Sequence, residues 1–245
     1  MKTFNIFLLV IIGTLSISAT NCIISPSTSS KDDKDVKKEV RTVEKFTGID
    51  LSVSADVKLS QGTSQKVEIE ASTSDLEKII TEKEGSKLVI KTKPGTWHVG
   101  RVIVYVTMEQ INDLSISGSG SINNETPIVA NKLRLDISGS GSILISDLKA
   151  EEISSEVSGS GSIKLSGKEQ VSMHKMEVSG SGDIYVNELK TADVNVNISG
   201  SGTCKVFATE KLRVDVSGSG DVYYVGKPVI NADVSGSGKV KELKM

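Results

Sequence analysis

The sequence predicts an all-β chain wound into a parallel β-solenoid, and three observations carry that reading. The tetrapeptide Ser-Gly-Ser-Gly occurs seven times, starting at Ser117, Ser138, Ser158, Ser179, Ser199, Ser217 and Ser235. The copies lie 18 to 21 residues apart, the kind of period seen where each repeat packs on its neighbours. Apolar residues alternate with period two on both sides of every copy, as strands with one buried face require.

The phase of the alternation refines the picture. Leu133, Leu135, Ile137, Gly139, Gly141, Ile143 and Ile145 share one parity, as do Leu212, Val214, Val216, Gly218, Gly220, Val222 and Tyr224. Successive strand side chains point to opposite faces, so the glycines fall in the register of the buried face and the serines opposite. A glycine inside a strand costs about 0.5–1 kcal/mol relative to alanine. Two in every copy therefore mark a tight corner or a close backbone approach. The predicted bend glycines are Gly118, Gly120, Gly139, Gly141, Gly159, Gly161, Gly180, Gly182, Gly200, Gly202, Gly218, Gly220, Gly236 and Gly238. About seven coils follow over residues 114–245. Connectors such as Asp147-Leu148-Lys149-Ala150 supply a shorter wall, and the two closing 18-residue steps predict a taper.

Residues 1–22 read as a signal peptide, with Lys2 opening a basic segment and Phe4 to Ile12 forming the apolar one. Two processing routes stand open. Cys22 occupies the place of the acylated cysteine of a bacterial lipoprotein, although Asn21 departs from the usual small residue before it; cleavage near Ala19 is the other route. Either way the chain is exported. Residues 23–40 read as a flexible, charged tether with no apolar period.

Residues 41–113 lack the tetrapeptide but alternate well: Ile49 to Leu59, Val67 to Ala71, Leu88 with Ile90, and Val102 to Val106. Six or so strands are expected, forming irregular first coils. Turns fall at Gln61-Gly62-Thr63 and Glu84-Gly85-Ser86, and one short helix over Ser74 to Ile80, capped by Ser74 or Asp75.

The order Phe46-Thr47-Gly48-Ile49-Asp50-Leu51, then Ala55 to Gly62, then Leu88-Val89-Ile90 and Val102 to Val106, then Leu114-Ser115-Ile116 before the first tetrapeptide, resembles the head GIN domain family of auto-transporter adhesins. The resemblance spans roughly residues 40 to 244. It implies a right-handed β-helix-like fold, export to the cell envelope and an adhesive role; the envelope expected is that of a Gram-negative bacterium. It brings no catalytic residues.

Composition narrows the chemistry. The net charge is −2 with 29 basic and 31 acidic residues, and aromatic residues make up 4%. Basic residues are interleaved with acidic ones, so a nucleic-acid partner is not expected. Two cysteines exclude a disulfide framework, and with two histidines, His98 and His174, they offer no familiar zinc spacing. The tetrapeptide serines lack the strand-to-helix elbow of a nucleophile. Acidic residues follow the tetrapeptide only at Asp183 and Asp221, so a calcium ladder is incomplete.

Asp136, Glu156, Glu177 and Asp215 are the candidate carboxylates for a polysaccharide lyase or hydrolase, the enzyme alternative on this scaffold. They read first as solvated strand-face charges. Trp97 and His98 read as loop residues covering the first block, with sugar stacking as the alternative, and Cys204 as a buried thiol. The leading expectation is a non-enzymatic envelope module that uses no cofactor or metal. It would reach the membrane only through a lipid on Cys22 and bind a glycan or surface protein. Lys239 and Lys241 charge the last strand, whose coil could alternatively pair with a second protomer.

Overall fold

The protein is described by a computed structural model covering residues 35–244. The expected signal peptide, Cys22 and most of the expected tether lie outside the described residues. Of the tether, Val36–Arg41 is strand β1, so order begins before residue 41. Its alternation is weak, yet β1 pairs antiparallel along its length with β4 (Lys66–Ser72), and backbone pairing needs no apolar face.

Between them lie β2 (Gly48–Leu51) and β3 (Asp56–Gln61). After β4 come the helix α1 (Thr73–Leu76), β5 (Ile79–Glu84), β6 (Lys87–Thr92) and β7 (Ile103–Met108). The helix is shorter than predicted. Ser72 is its cap, its hydroxyl accepting the Asp75 amide at 3.2 Å. Ile79 and Ile80 instead enter β5, paired with Thr92 and Lys91 of β6. Gly85, at φ 60°, opens the two-residue turn of that hairpin.

The repeats begin with β8 (Asp113–Gly118) and β9 (Ser121–Asn124), and continue as β10 (Ile128–Gly139), β11 (Ser142–Ile145), β12 (Leu148–Gly159), β13 (Ser162–Ser166) and β14 (Val171–Gly180). They end in β15 (Asp183–Gly200), β16 (Thr203–Gly218), β17 (Asp221–Val225), β18 (Val229–Gly236) and β19 (Lys239–Glu242). Segments preceding each tetrapeptide stack in parallel as a first wall, and segments following it as a second. Seven tetrapeptides thus give seven stacked rungs and about six turns. The connectors extend the strands: Ile128 pairs with Leu148 and Ala130 with Ala150, making the expected shorter wall.

The first rungs are not stacked in chain order. β2 lies between β6 and β8, and β3 between β7 and β9, all parallel. The chain lays down the β2–β3 coil, adds the β6–β7 coil outside it, and then returns to the other side with β8 and β9. The inward residues of all these coils form one aliphatic core, with Ile49, Leu88, Val104, Ile116, Ile137, Ile163 and Ile198 almost wholly buried.

Candidate binding surface

The tetrapeptide makes the corner between the walls, and its two glycines do different jobs. The first has φ between 115° and 149° in all seven copies, a region that L side chains rarely adopt. Its carbonyl accepts the amide of the second serine one rung on, as from Ser160 to Gly139 at 2.8 Å. A Cβ on Gly159 would sit 2.5 Å from that same Gly139 oxygen. The second glycine faces inward, where a Cβ on Gly141 would lie 2.6 Å from Ile116 Cγ2 of the preceding rung. The serines point outward, and Ser117, Ser138, Ser158, Ser179, Ser199, Ser217 and Ser235 form one in-register column.

On the first wall the candidate carboxylates fall in a second column: Asp136, Glu156, Glu177, Asn197, Asp215 and Asp233 in successive rungs. Three of them, Asp136, Glu156 and Glu177, are tied to neighbouring cations on an open strand face. Arg134 reaches both Asp136 at 3.1 Å and Glu156 at 3.2 Å, and Lys175 pairs with Glu177. The hydrogen bond it donates to Asp136 holds the Arg134 guanidinium charged beyond its ordinary range. Beside this column runs a shallow groove of about 580 Å³ floored by Leu133 and Ile153, with Lys132, Glu152 and Met173 on its rim. A smaller one of about 270 Å³ by Lys211, Leu212 and Val229 lies further along the same register.

Other candidates are placed elsewhere. Trp97 is 97% exposed and does not cover the first block, because it projects from the loop between β6 and β7. Cys204 is fully buried in the column of Ile184 and Val222, and burial pushes its thiol up to about 12. A Ser–His pair does exist, but in the core: Ser155 Oγ and His174 Nε2 lie 2.8 Å apart, both essentially without solvent contact. Burial lowers the His174 pKa to about 3, so the ring is neutral. Its Nδ1 has no partner among the described residues. No group of three or more His, Cys, Asp or Glu among the described residues could hold a metal ion. No helix among them is long and apolar enough to cross a membrane.

Sequence reasoning passed over one column. The residue six places after the first serine of each copy faces outward on the second wall, and Lys164, Tyr185, Lys205, Tyr223 and Lys241 follow one another there. The common offset was visible in the sequence; the alternation of lysine and tyrosine becomes meaningful only when the rungs are stacked.

Fold and surface together define a β-solenoid that carries columns of side chains on flat outer walls. The chain belongs to the family described as "Putative auto-transporter adhesin, head GIN domain", matched over residues 45–228. Its structure is similar to that of a putative adhesin from Bacteroides fragilis, at 21% identity and a TM-score of 0.81, over 86% of this chain and 99% of that one. A putative lipid binding protein from Parabacteroides distasonis is similar at 22% identity and 0.73, over 87% and 98%. A putative adhesin from Parabacteroides merdae is similar at 20% and 0.71, over 87% and 98%. At these identities the likeness shows the fold. None of the curated proteins matches the chain.

Proposed function

We propose that the protein is a non-enzymatic adhesive module of the Gram-negative cell envelope. It is held to the outer membrane by a lipid on Cys22 and presents its solenoid walls to a glycan or surface protein. The observation supporting this is the repetition of outward side chains at equivalent points of seven rungs, which suits an extended partner better than a single reacting centre. Family membership and the adhesin names of similar structures point the same way. The first-wall carboxylates lie on an open face, three of them paired with cations, and lack the enclosed pair that glycoside hydrolysis uses.

Beads coated with the mature protein should retain members of a panel of glycans and cell-surface proteins without shortening any polysaccharide chain. Chain shortening, or retention of no member of the panel, overturns the reading. Labelled palmitate should enter the wild type and not Cys22→Ala. Equal labelling, or none in either, refutes the anchor.

A further inference from the structure

The second wall carries a feature that the adhesive reading leaves unused. Tyr185 and Tyr223 stand two rungs apart in one column, with Lys205 between them and Lys164 and Lys241 beyond. With rungs about 4.8 Å apart, like residues recur about every 10 Å, and the five span about 19 Å. Both tyrosines are built alike. Tyr185 donates its hydroxyl to Asp183 at 2.8 Å and Tyr223 to Asp221 at 3.2 Å, each two residues back along its own strand. These bonds lay the rings along the wall rather than letting them stand into solvent. Lys205 Nζ lies over the Tyr185 ring, 5.0 Å from its centre, a cation–π contact from which a ligand carboxylate would draw the ammonium and so open that face.

We infer that this column is a binding site for a linear polysaccharide in which an acidic sugar alternates with a neutral one, the chain running along the solenoid axis across the strands. This rests on the adhesive reading and names its ligand class. Tyrosine rings held flat offer stacking faces to pyranose rings, whose carbon-bound hydrogens make one side apolar. Lysines at every second rung meet a carboxylate on every second sugar, while the tyrosines between them meet the neutral sugars. In an extended β-linked chain alternate residues repeat about as often as alternate rungs do.

Charge selects this wall over the other. On the first wall the cations Arg134, Lys175 and Lys211 are already paired with carboxylates, whereas Lys164, Lys205 and Lys241 of the second wall form no salt bridge among the described residues. On the second wall the acids Asp183 and Asp221 are already engaged by tyrosine hydroxyls, and Asp183 also accepts the Thr203 amide at 2.9 Å. A single-stranded nucleic acid shares the need for cations and flat rings, but its charges fall on every residue rather than on alternate ones.

The test is calorimetric titration of the mature protein with hyaluronan oligosaccharides, with polymannuronate, chitohexaose and charge-matched single-stranded DNA as comparators. Hyaluronan should bind more tightly than all three. Tyr185→Leu/Tyr223→Leu, which removes the rings but keeps apolar bulk, should weaken it at least tenfold. Lys205→Gln should weaken it severalfold and flatten its salt dependence. Lys175→Gln on the first wall should leave it unchanged, and each variant must keep the wild-type unfolding midpoint within a few degrees; if the paired leucine variant does not, the single variants Tyr185→Leu and Tyr223→Leu stand in, each expected to weaken binding severalfold. Undetectable hyaluronan binding, binding indifferent to the tyrosines, or equal binding of DNA overturns the site. If the coated beads still retain another ligand, the adhesive reading survives that failure; if they retain nothing, both fall.

Discussion

The two ends of the solenoid are built differently from the same kind of rung. At the N-terminal end the outermost coil, β6 and β7, is covered by β5, β4 and β1 running antiparallel. Its inward residues Leu88, Ile90 and Val104 are fully buried. In the last described coil, Ile230 and Val234 occupy the register of Leu212 and Val216. They are 40% and 36% exposed, against 1% and 0% for their partners one rung back. Parity alone therefore does not bury a side chain here; the rung above and the rung below complete its pocket. A coil with one neighbour holds half a core.

That contrast predicts which positions matter, and the corner glycines should show it most. Gly159 lies inside the stack, where an alanine would add contact with the Gly139 carbonyl to a φ of 123°. Gly118→Ala would meet nothing within 4 Å, although its φ is 149°. Backbone strain alone is worth about 1–3 kcal/mol. Gly118→Ala should lose about that much in urea unfolding, and Gly159→Ala about 4 kcal/mol or more, enough to rank among severe substitutions. Equal losses would mean that strain rather than stacking sets the need for glycine.

The interior should also carry a pH dependence of its own. His174 has its pKa lowered by burial to about 3 from 6.5. Above pH 6.5 the ring is neutral in both folded and unfolded chains, and its full contribution is present. As pH falls from there toward 3 the unfolded chain gains a proton that the folded one refuses, so stability declines by about 1.4 kcal/mol per unit. Unfolding between pH 6.5 and 4.5 should thus weaken by about 2–3 kcal/mol in the wild type. His174→Leu should lose most of that slope. It should keep only the smaller part that carboxylates such as Glu70 and Glu84, held low by their lysine partners, add toward pH 4.5. An unchanged slope would show the ring to be reached by water.

Val216→Ala and Val234→Ala compare one side chain at two rungs of one column. The first empties a closed site and should cost about 2–3 kcal/mol. The second, already 36% exposed, should cost under about 1 kcal/mol. Similar losses would mean that something covers the last coil in solution.

Much of this architecture is legible in the residues, for a physical reason: a bend needing two glycines at every turn writes its period into the chain. Seven copies with fixed flanking parity leave little choice of register. Stacking order at the N-terminal end is not written that way. The alternation of Ile49, Leu88 and Leu114 places all three inward but does not say that the first lies between the other two. Likewise His174 shares the inward parity of Met176 and Val178, and its partner Ser155 that of Ile153 and Val157, but only the stacking of the two rungs brings them together. The lysine–tyrosine column was written at a constant offset. Its meaning depends on which rungs are adjacent.

The smallest effect is expected at Trp97, and it tests the covered end directly. An aromatic residue in the loop joining β6 to β7 suggests a ring folded over the coil beneath, and the structure instead leaves it 97% exposed. The antiparallel strands and the α1 segment already close that end, with Leu76 and Ile79 buried against the core, so the indole has no vacant surface to fill. Trp97→Ser should shift stability by no more than about 0.5 kcal/mol, the ordinary range for a surface change. Because the chain has a single tryptophan, its fluorescence reports this site alone. The native emission should already be that of a solvated indole and should barely move on unfolding in urea, even as circular dichroism records the loss of the strands. A blue-shifted native spectrum would place the ring against the end coil and make the cover of that end partly a matter of the loop.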